Sequence, residues 1–132
     1  METLVKNSAT VASIYEAFGR GDIAFIISQL DNDVIWVAMG NNPTSGTYNG
    51  SKEVPAFFTG LASNYQIENF QVNYILDADD STVIAKGYQE GKGLRSGKPL
   101  RTHWAMEWKF NEDGKVVEYR NIYDTLAYSN AL

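Results

Sequence analysis

Three ionisable side chains near the end of the chain are of types that perform acid–base chemistry. Asp124 lies among Ile122, Tyr123 and other apolar residues, and a carboxyl group in an apolar cavity has a raised pKa that suits proton transfer near neutral pH. Arg120 lies four residues earlier, so strict strand alternation places it on the same face, where it would stabilise developing negative charge. His103 is the single histidine, and its ordinary pKa suits proton transfer. These three residues are our catalytic candidates.

Each catalytic candidate also has a structural interpretation. Asp124 would cap a short tail helix, TLAYSNAL, or pair with Arg120. Arg120 would then belong to a plain ion pair at the sheet surface, which contributes little stability. His103 shares its strand face with Arg101 and Glu107, a pattern typical of a side that faces solvent or a partner subunit. Both interpretations stay open at this point.

A second set of candidates is apolar or aromatic and would line a substrate-binding cavity. In the segment RTHWAMEWKF the large apolar side chains fall on one face of a strand. The same residue types also suit a solid core, but buried indole and phenol groups need hydrogen-bond partners, so one or two would orient a ligand. Weaker candidates for a donor inside the cavity are Tyr74, Tyr88 and Tyr119. The substrate-binding candidates are Trp36, Tyr15, Tyr48, Phe58, Trp104, Met106 and Trp108.

The first half of the chain has helical periodicity interrupted by turn residues. Apolar spacing predicts a helix over residues 3–18, and Asp22 is a natural N-cap for a second helix through Leu30. A short apolar strand follows in DNDVIWVAM, and residues 40–50 form a turn-rich loop. Ser51 is expected to cap a third helix, in whose first turn Pro55 is tolerated.

The second half alternates with a period of two residues. Strands are expected over residues 67–76 and 82–90, followed by RTHWAMEWKF and KVVEYRNIYDT joined by the turn NEDG. Consecutive hairpins predict a curved, mostly antiparallel sheet with three helices against one face. The predicted fold class is therefore α+β, a cone-like roll, in one domain over residues 1–132.

Composition excludes several classes of function. The chain has 132 residues, a net charge of −5, no cysteine and one histidine. Phosphate-backbone binding requires clustered Lys and Arg, so we expect no nucleic-acid partner. A zinc or iron site normally uses several imidazoles or thiolates, so we expect no metal and no other cofactor. Without a long apolar run or a leader pattern, we expect a cytoplasmic protein with no membrane association.

The order of elements and several motifs resemble a known family. These motifs are YEAFGRGD, VIWV, GTYNG, VPAFF and the long C-terminal hairpin SGKPLRTHWAMEWKF–EDGKVVEYRNIYDT. They are similar to the nuclear transport factor 2-like fold, specifically its SnoaL-like, ketosteroid-isomerase-related (cystatin-like) group. The matches span nearly the whole chain. The resemblance implies a cone-shaped cavity, a homodimer formed through the exposed sheet face, and an inward-pointing Asp124.

This resemblance does not select one activity, because the fold hosts isomerases, cyclases, epoxide hydrolases, dehydratases and non-catalytic modules. Our leading hypothesis is an isomerase, cyclase or hydrolase that needs no cofactor and uses Asp124 for proton transfer on a small apolar substrate. The alternative is a non-catalytic ligand-binding or dimerisation module of the same shape.

Overall fold

A computed structural model describes residues 6–132 of the chain. In this range one mixed sheet of six strands packs against helices, which confirms the predicted α+β class. The helices are α1 (Asn7–Gly19), α2 (Ile23–Ser28), α3 (Val54–Asn64) and α4 (Thr125–Asn130). The strands are β1 (Leu30–Ala38), β2 (Gly46–Asn49), β3 (Tyr65–Asp77), β4 (Thr82–Gly93), β5 (Pro99–Phe110) and β6 (Val116–Tyr123).

The sheet is mostly antiparallel, as predicted, and its strand order is β2-β1-β6-β5-β4-β3. Within residues 6–132 the β1–β6 pair is parallel and the other four pairs are antiparallel. Along β4 and β5 every second residue is buried, so one face of the sheet is covered by helices and the other is more exposed. We call these the inner and the outer face.

The first two helices follow the sequence pattern closely. Helix α1 buries Val11, Ile14 and Ala17, which recur every three residues and form one apolar stripe. Asp22 caps α2 as predicted, because its Oδ1 accepts a hydrogen bond from the backbone N–H of Phe25 at 3.0 Å. Residues 3–5 of the predicted first helix lie outside the described residues.

Two predictions for the segment after β1 are wrong. Residues 46–49 are not irregular loop but strand β2, which pairs with β1. Ser51 does not cap α3, since the helix begins at Val54 and Glu53 occupies the N-cap position. The Glu53 carboxylate reaches back and accepts from the backbone N–H of Asn49 at 2.8 Å, which ties the end of β2 to the start of the helix.

A β-bulge interrupts β6 near its start. Lys109 of β5 pairs with Glu118, but the next residue, Phe110, pairs with Val116, so Val117 is an extra residue on β6. One extra residue exchanges the two faces for everything that follows it. Tyr119 and Asn121 therefore face inward. Uninterrupted alternation from the buried Val116 would instead have turned Glu118 and Arg120 inward.

Gly87 in β4 is required by the close approach of an indole ring. Trp104 of β5 lies opposite Gly87 in the sheet and is only 2% exposed. A Cβ at Gly87 would overlap the Trp104 ring and the backbone oxygen of Gln71. The absence of a side chain here lets Trp104 lie flat against the inner face and stack on Phe70, with ring centroids 4.9 Å apart.

We predict that Gly87→Ala lowers the free energy of unfolding by about 1–3 kcal/mol, since overpacking a rigid interior forces backbone or ring displacement. Urea denaturation monitored by tryptophan fluorescence measures this loss. Gly19→Ala is the matched control, because nothing lies within 4 Å of a Cβ at Gly19 and alanine favours the helix. Equal stability of both variants would contradict the proposed role of Gly87.

Two further expectations concern the surroundings of the protein. Across residues 6–132, no helix combines the length and the apolar character that a membrane crossing requires. A single chain does not test the expected homodimer, which stays a prediction.

Candidate ligand-binding cavity

A small cavity lies between the inner face of the sheet and the helices. Its volume is about 50 Å³, and its wall is almost entirely apolar and aromatic. Such a cavity has room for a few waters or for one polar group of a larger molecule. The lining residues are Ile14, Tyr15, Phe18, Ile26, Trp36, Thr44, Phe57, Phe58, Leu61, Phe70, Gln89, Met106, Trp108, Tyr119, Asn121 and Tyr128.

Two tryptophans and a tyrosine form the rigid part of this wall. The ring of Trp36 stacks on Tyr119 with centroids 3.7 Å apart, and Trp108 meets Trp36 edge-on at 5.8 Å. These rings come from β1, β6 and β5, three adjacent strands, and each is about 2% exposed. Stacked and edge-to-face aromatic contacts add stability beyond area burial, so this side of the cavity is held firmly.

The phenol groups in the wall are hydrogen-bond donors. Tyr15 accepts from the indole N–H of Trp108 at 3.1 Å and directs its own hydroxyl at the Met106 sulfur, also 3.1 Å away. Burial raises the pKa of Tyr15 and of Tyr119 well above that of an ordinary phenol, since the anion would lose its hydration. Both therefore stay protonated at neutral pH.

Gln89 and Tyr128 form a polar pair where α4 meets the sheet. The Tyr128 hydroxyl donates to Gln89 Oε1 at 3.0 Å, and the Tyr65 hydroxyl donates to the backbone oxygen of Tyr128 at 2.9 Å. Burial raises the pKa of Tyr65 to about 12 and also raises that of Tyr128. Since its oxygen is engaged by Tyr128, Gln89 has its amide N–H groups left to offer a ligand.

Two polar atoms of cavity-lining residues have no hydrogen-bond partner within the described residues. They are Nε1 of Trp36, a donor, and Oδ1 of Asn121, an acceptor, and both are fully buried. A buried unpaired polar group costs about 1–3 kcal/mol. A ligand group that accepts from the indole N–H, or one that donates to the amide oxygen, would remove this cost.

Asp124 does not face the cavity, and the prediction that it points inward is wrong. Its side chain is exposed, and Oδ1 accepts from the backbone N–H groups of Leu126 and Ala127 at 3.1 and 3.2 Å. This is an N-cap at the start of α4, the structural alternative for this residue. The reason is local: β6 ends at Tyr123, and the free N–H groups of the next helix need an acceptor.

Arg120 and His103 both lie on the outer face, so neither reaches the cavity. Arg120 is half-buried and forms an ion pair with Glu118 at 3.7 Å. His103 is exposed and packs against Tyr88, with ring centroids 5.0 Å apart. The bulge at Val117 explains why Arg120 lies on the outer face. The polar neighbours of His103 on β5 explain why His103 does.

The structure also places the aromatic candidates. The lining contains four of the aromatic candidates, Trp36, Tyr15, Phe58 and Trp108, together with the apolar candidate Met106. Trp104 is buried beside Gly87, outside the lining, and its indole N–H has no partner in the described part of the chain. Tyr48 is also outside the lining, since its hydroxyl donates to the backbone oxygen of Thr44 at 2.9 Å. Of the three further tyrosines considered as donors, only Tyr119 lines the cavity.

The sequence interpretation missed the polar lining residues Gln89, Asn121 and Thr44. Gln89 is the one amide in the alternating inner series Val83, Ala85 and Gly87 of β4, and that irregularity was a usable signal. Asn121 shares its face with Tyr119, but assigning that face requires the bulge to be known. Thr44 lies in a loop without periodicity, and no sequence signal identifies it.

Nothing in this wall is a base at neutral pH. The lining that residues 6–132 provide has no carboxylate, imidazole or amine, and its titratable groups are tyrosines. The described residues also contain no cluster of three His, Asp or Glu side chains that would hold a metal ion. What the arrangement can do is bind a neutral molecule and polarise its oxygen through neutral donors.

Comparison with known proteins identifies the family. Residues 11–119 match the SnoaL-like domain. The chain belongs to the SnoaL-like domain family. No curated protein sequence matches it.

Solved structures with the nuclear transport factor 2-like fold superimpose over the whole SnoaL-like domain. One such protein of Burkholderia thailandensis is 29% identical, with a TM-score of 0.88, and the match covers 97% of this chain and 98% of the other. A Pseudomonas putida protein provisionally named a polyketide cyclase is 19% identical, with a TM-score of 0.78 and coverage of 98% and 99%. A Bacillus subtilis protein provisionally named an isomerase is 18% identical, with a TM-score of 0.78 and coverage of 93% and 89%.

The first prediction from this geometry concerns Asp124. We expect Asp124→Ala to lower the free energy of unfolding by about 0.5–2 kcal/mol through loss of the α4 cap, while Asp124→Ser, which still caps, stays near wild type. Thermal and urea denaturation of the two variants measure the difference. Equal destabilisation by serine and alanine would show that capping is not the role of Asp124.

The buried tyrosines predict a loss of stability at alkaline pH. Their pKa values are raised in the folded state, so their contribution to stability is constant below about pH 10, where unfolded tyrosine is protonated, and falls as pH rises toward 12. Each such tyrosine contributes a slope of up to about 1.4 kcal/mol per pH unit. Tyr128→Phe should make the slope shallower, as measured by urea denaturation between pH 8 and 11.5.

The matched control for this measurement is Tyr74→Phe, because Tyr74 is 46% exposed at the edge of the sheet. It should leave the slope at the wild-type value. A slope that responds equally to both substitutions would contradict the assignment of alkaline sensitivity to the buried phenols.

Proposed function

We propose that this SnoaL-like protein binds a neutral small molecule whose hydroxyl end enters the cavity. The observation that supports this most strongly is the pair of unpaired polar atoms, Trp36 Nε1 and Asn121 Oδ1, in an apolar wall. Together they match a hydroxyl, which accepts from the indole N–H and donates to the amide oxygen. The Gln89 amide and the protonated tyrosines supply further neutral contacts.

Charge complementarity argues for a neutral ligand rather than an ionised one. An anion or cation in this wall would lose its hydration without meeting an opposite charge, and burying an unpaired charge is strongly unfavourable. A hydroxyl or carbonyl loses far less and regains hydrogen bonds from the wall. The ligand class is therefore an alcohol or a phenol with an apolar body.

A second candidate function is catalysis of isomerisation or cyclisation on such a ligand. Two structural neighbours, provisionally named an isomerase and a polyketide cyclase, favour it. In this case neutral donors such as the Trp36 indole and the Gln89 amide would stabilise negative charge that develops on a substrate oxygen. The cavity groups would then give the reaction rate no pH dependence near neutrality, because the titratable groups of the wall are phenols with a high pKa.

The test of the binding proposal uses phenol as the probe and Asn121→Leu as the variant. In wild-type protein, phenol should shift the Trp36 indole N–H signal in nitrogen-15 correlated NMR spectra. The leucine variant should bind phenol about three- to tenfold more weakly, because one hydrogen bond contributes about 1 kcal/mol. Its free energy of unfolding should rise by about 1 kcal/mol, because an unpaired buried oxygen is gone.

Two controls make this test specific. Asn73→Leu makes the same change at an exposed position on β3, outside the cavity lining, and should leave phenol binding unchanged. Anisole has the same ring without the O–H donor and should bind wild type more weakly than phenol. A Trp36 signal that does not respond to phenol, or equal binding by the two leucine variants, would refute the proposal.

A further inference from the structure

The cavity is too small for the body of the ligand that it is proposed to bind. Its volume is about 50 Å³, whereas a cavity of about 150 Å³ is what accommodates benzene. Typical small-molecule sites have volumes of roughly 300–1,000 Å³. A ligand whose polar end occupies the cavity must therefore place the rest of its atoms elsewhere.

An apolar groove of about 410 Å³ lies directly beyond the cavity wall. It shares Phe18, Phe58 and Leu61 with the cavity, so these three side chains form a partition with the cavity on one side and the groove on the other. The groove residues are Phe18, Gly21, Ile23, Phe58, Leu61, Ala62, Tyr65, Gln66, Ile67 and Leu94.

The two phenylalanines of the partition contact each other loosely. Their ring centroids are 6.3 Å apart, whereas those of Trp36 and Tyr119 are 3.7 Å apart. Both phenylalanines are only half-buried. Phe58 also contacts Trp36, with ring centroids 5.8 Å apart, whereas the aromatic contacts of Phe18 in the described residues are with Phe58 and Phe70. Rotation of Phe18 would therefore join cavity and groove without disturbing the stacked rings on β1, β5 and β6.

The chemistry of the groove matches the apolar body of a neutral ligand. It contains no carboxylate, amine or guanidinium, and Leu94, which is 46% exposed, offers open apolar surface at its edge. A second surface depression of about 360 Å³ has the opposite character, since Glu68, Glu90, Lys92 and Arg101 line it. That depression shares no residue with the cavity lining.

We propose that the groove is the second half of the binding site and holds the apolar body of an elongated ligand whose hydroxyl end lies in the cavity. This proposal rests on the proposed function, because the molecule in the groove is the same ligand whose polar end binds in the cavity. The substrate class becomes a long neutral molecule, polar at one end, such as an alkylated phenol or an alcohol with an extended apolar chain.

The test uses 4-alkylphenols from 4-methylphenol to 4-butylphenol, with phenol as the reference. In wild type, each added methylene should raise the affinity about two- to fourfold, because a buried CH₂ contributes up to about 0.8 kcal/mol. Methyl signals of Leu94 and Leu61 should move more as the alkyl chain lengthens. Isothermal titration calorimetry and NMR titration supply both measurements.

Two groove variants should remove the dependence on chain length. Leu94→Asp places a charge at the groove edge, and Ala62→Trp fills the groove without adding charge; Ala62 is exposed on α3, so the fold tolerates bulk there. Both should weaken the binding of 4-butylphenol at least fivefold more than the binding of phenol, whose ring reaches less far into the groove. Leu76→Asp is the matched control, since Leu76 is 54% exposed and lies outside both linings.

The outcomes separate the two proposals. If phenol binds and depends on Asn121, but the affinity gain per methylene is the same in wild type and both groove variants, the groove proposal is overturned and the proposed function stands. If phenol does not bind at all, the proposed function fails and the groove proposal falls with it. If Leu94→Asp leaves the binding of every alkylphenol unchanged but lowers the molecular mass measured by sedimentation, the groove is covered by a second copy of the chain. This result also overturns the proposal.

Discussion

The extra residue in β6 is the constraint on which the site depends. Because Val117 has no partner on β5, the strand changes phase, and Tyr119 and Asn121 enter the interior while Glu118 and Arg120 move to the outer face. Without the bulge, two charged side chains would be buried against Trp36 and Trp108, where desolvation would oppose folding. The bulge therefore places both the Tyr119 ring and the Asn121 amide in the cavity wall.

The inner wall combines closely contacting aromatic rings with a few unsatisfied polar atoms. A core selected for stability alone would place an apolar residue at position 121, since the unpaired Asn121 oxygen costs free energy in the empty protein. The Trp104 indole N–H is also unpaired but lies outside the lining, so it is their place in the cavity wall that connects the Trp36 and Asn121 atoms with the proposed ligand. The neutrality of the wall then restricts both the ligand and any chemistry performed on it.

The C-terminal helix connects the end of the chain to the cavity. Asp124 holds the first turn of α4 in place, and this fixes Tyr128, whose hydroxyl orients the Gln89 side chain in the wall. Tyr65 donates to the backbone of the same helix and anchors it to the start of β3. The acidic residue that attracted a catalytic interpretation thus acts on the cavity at a distance, by positioning the residues that line it.

Much of the fold and part of the cavity followed from the sequence alone. Periodicity fixed the α+β class, the first two helices, the long strands and five aromatic or sulfur-containing lining residues, because spacing of apolar residues reports directly which face is buried. The positions of Arg120 and Asn121 relative to the cavity did not follow, since one unpaired residue reverses strand faces and no local pattern marks it. Asp124 was misplaced for a different reason, because it caps α4, a role that the sequence left open beside the catalytic one. The size of the cavity, its partition and its neighbouring groove were decided only by tertiary packing, which depends on how side chains from distant segments fill a shared space.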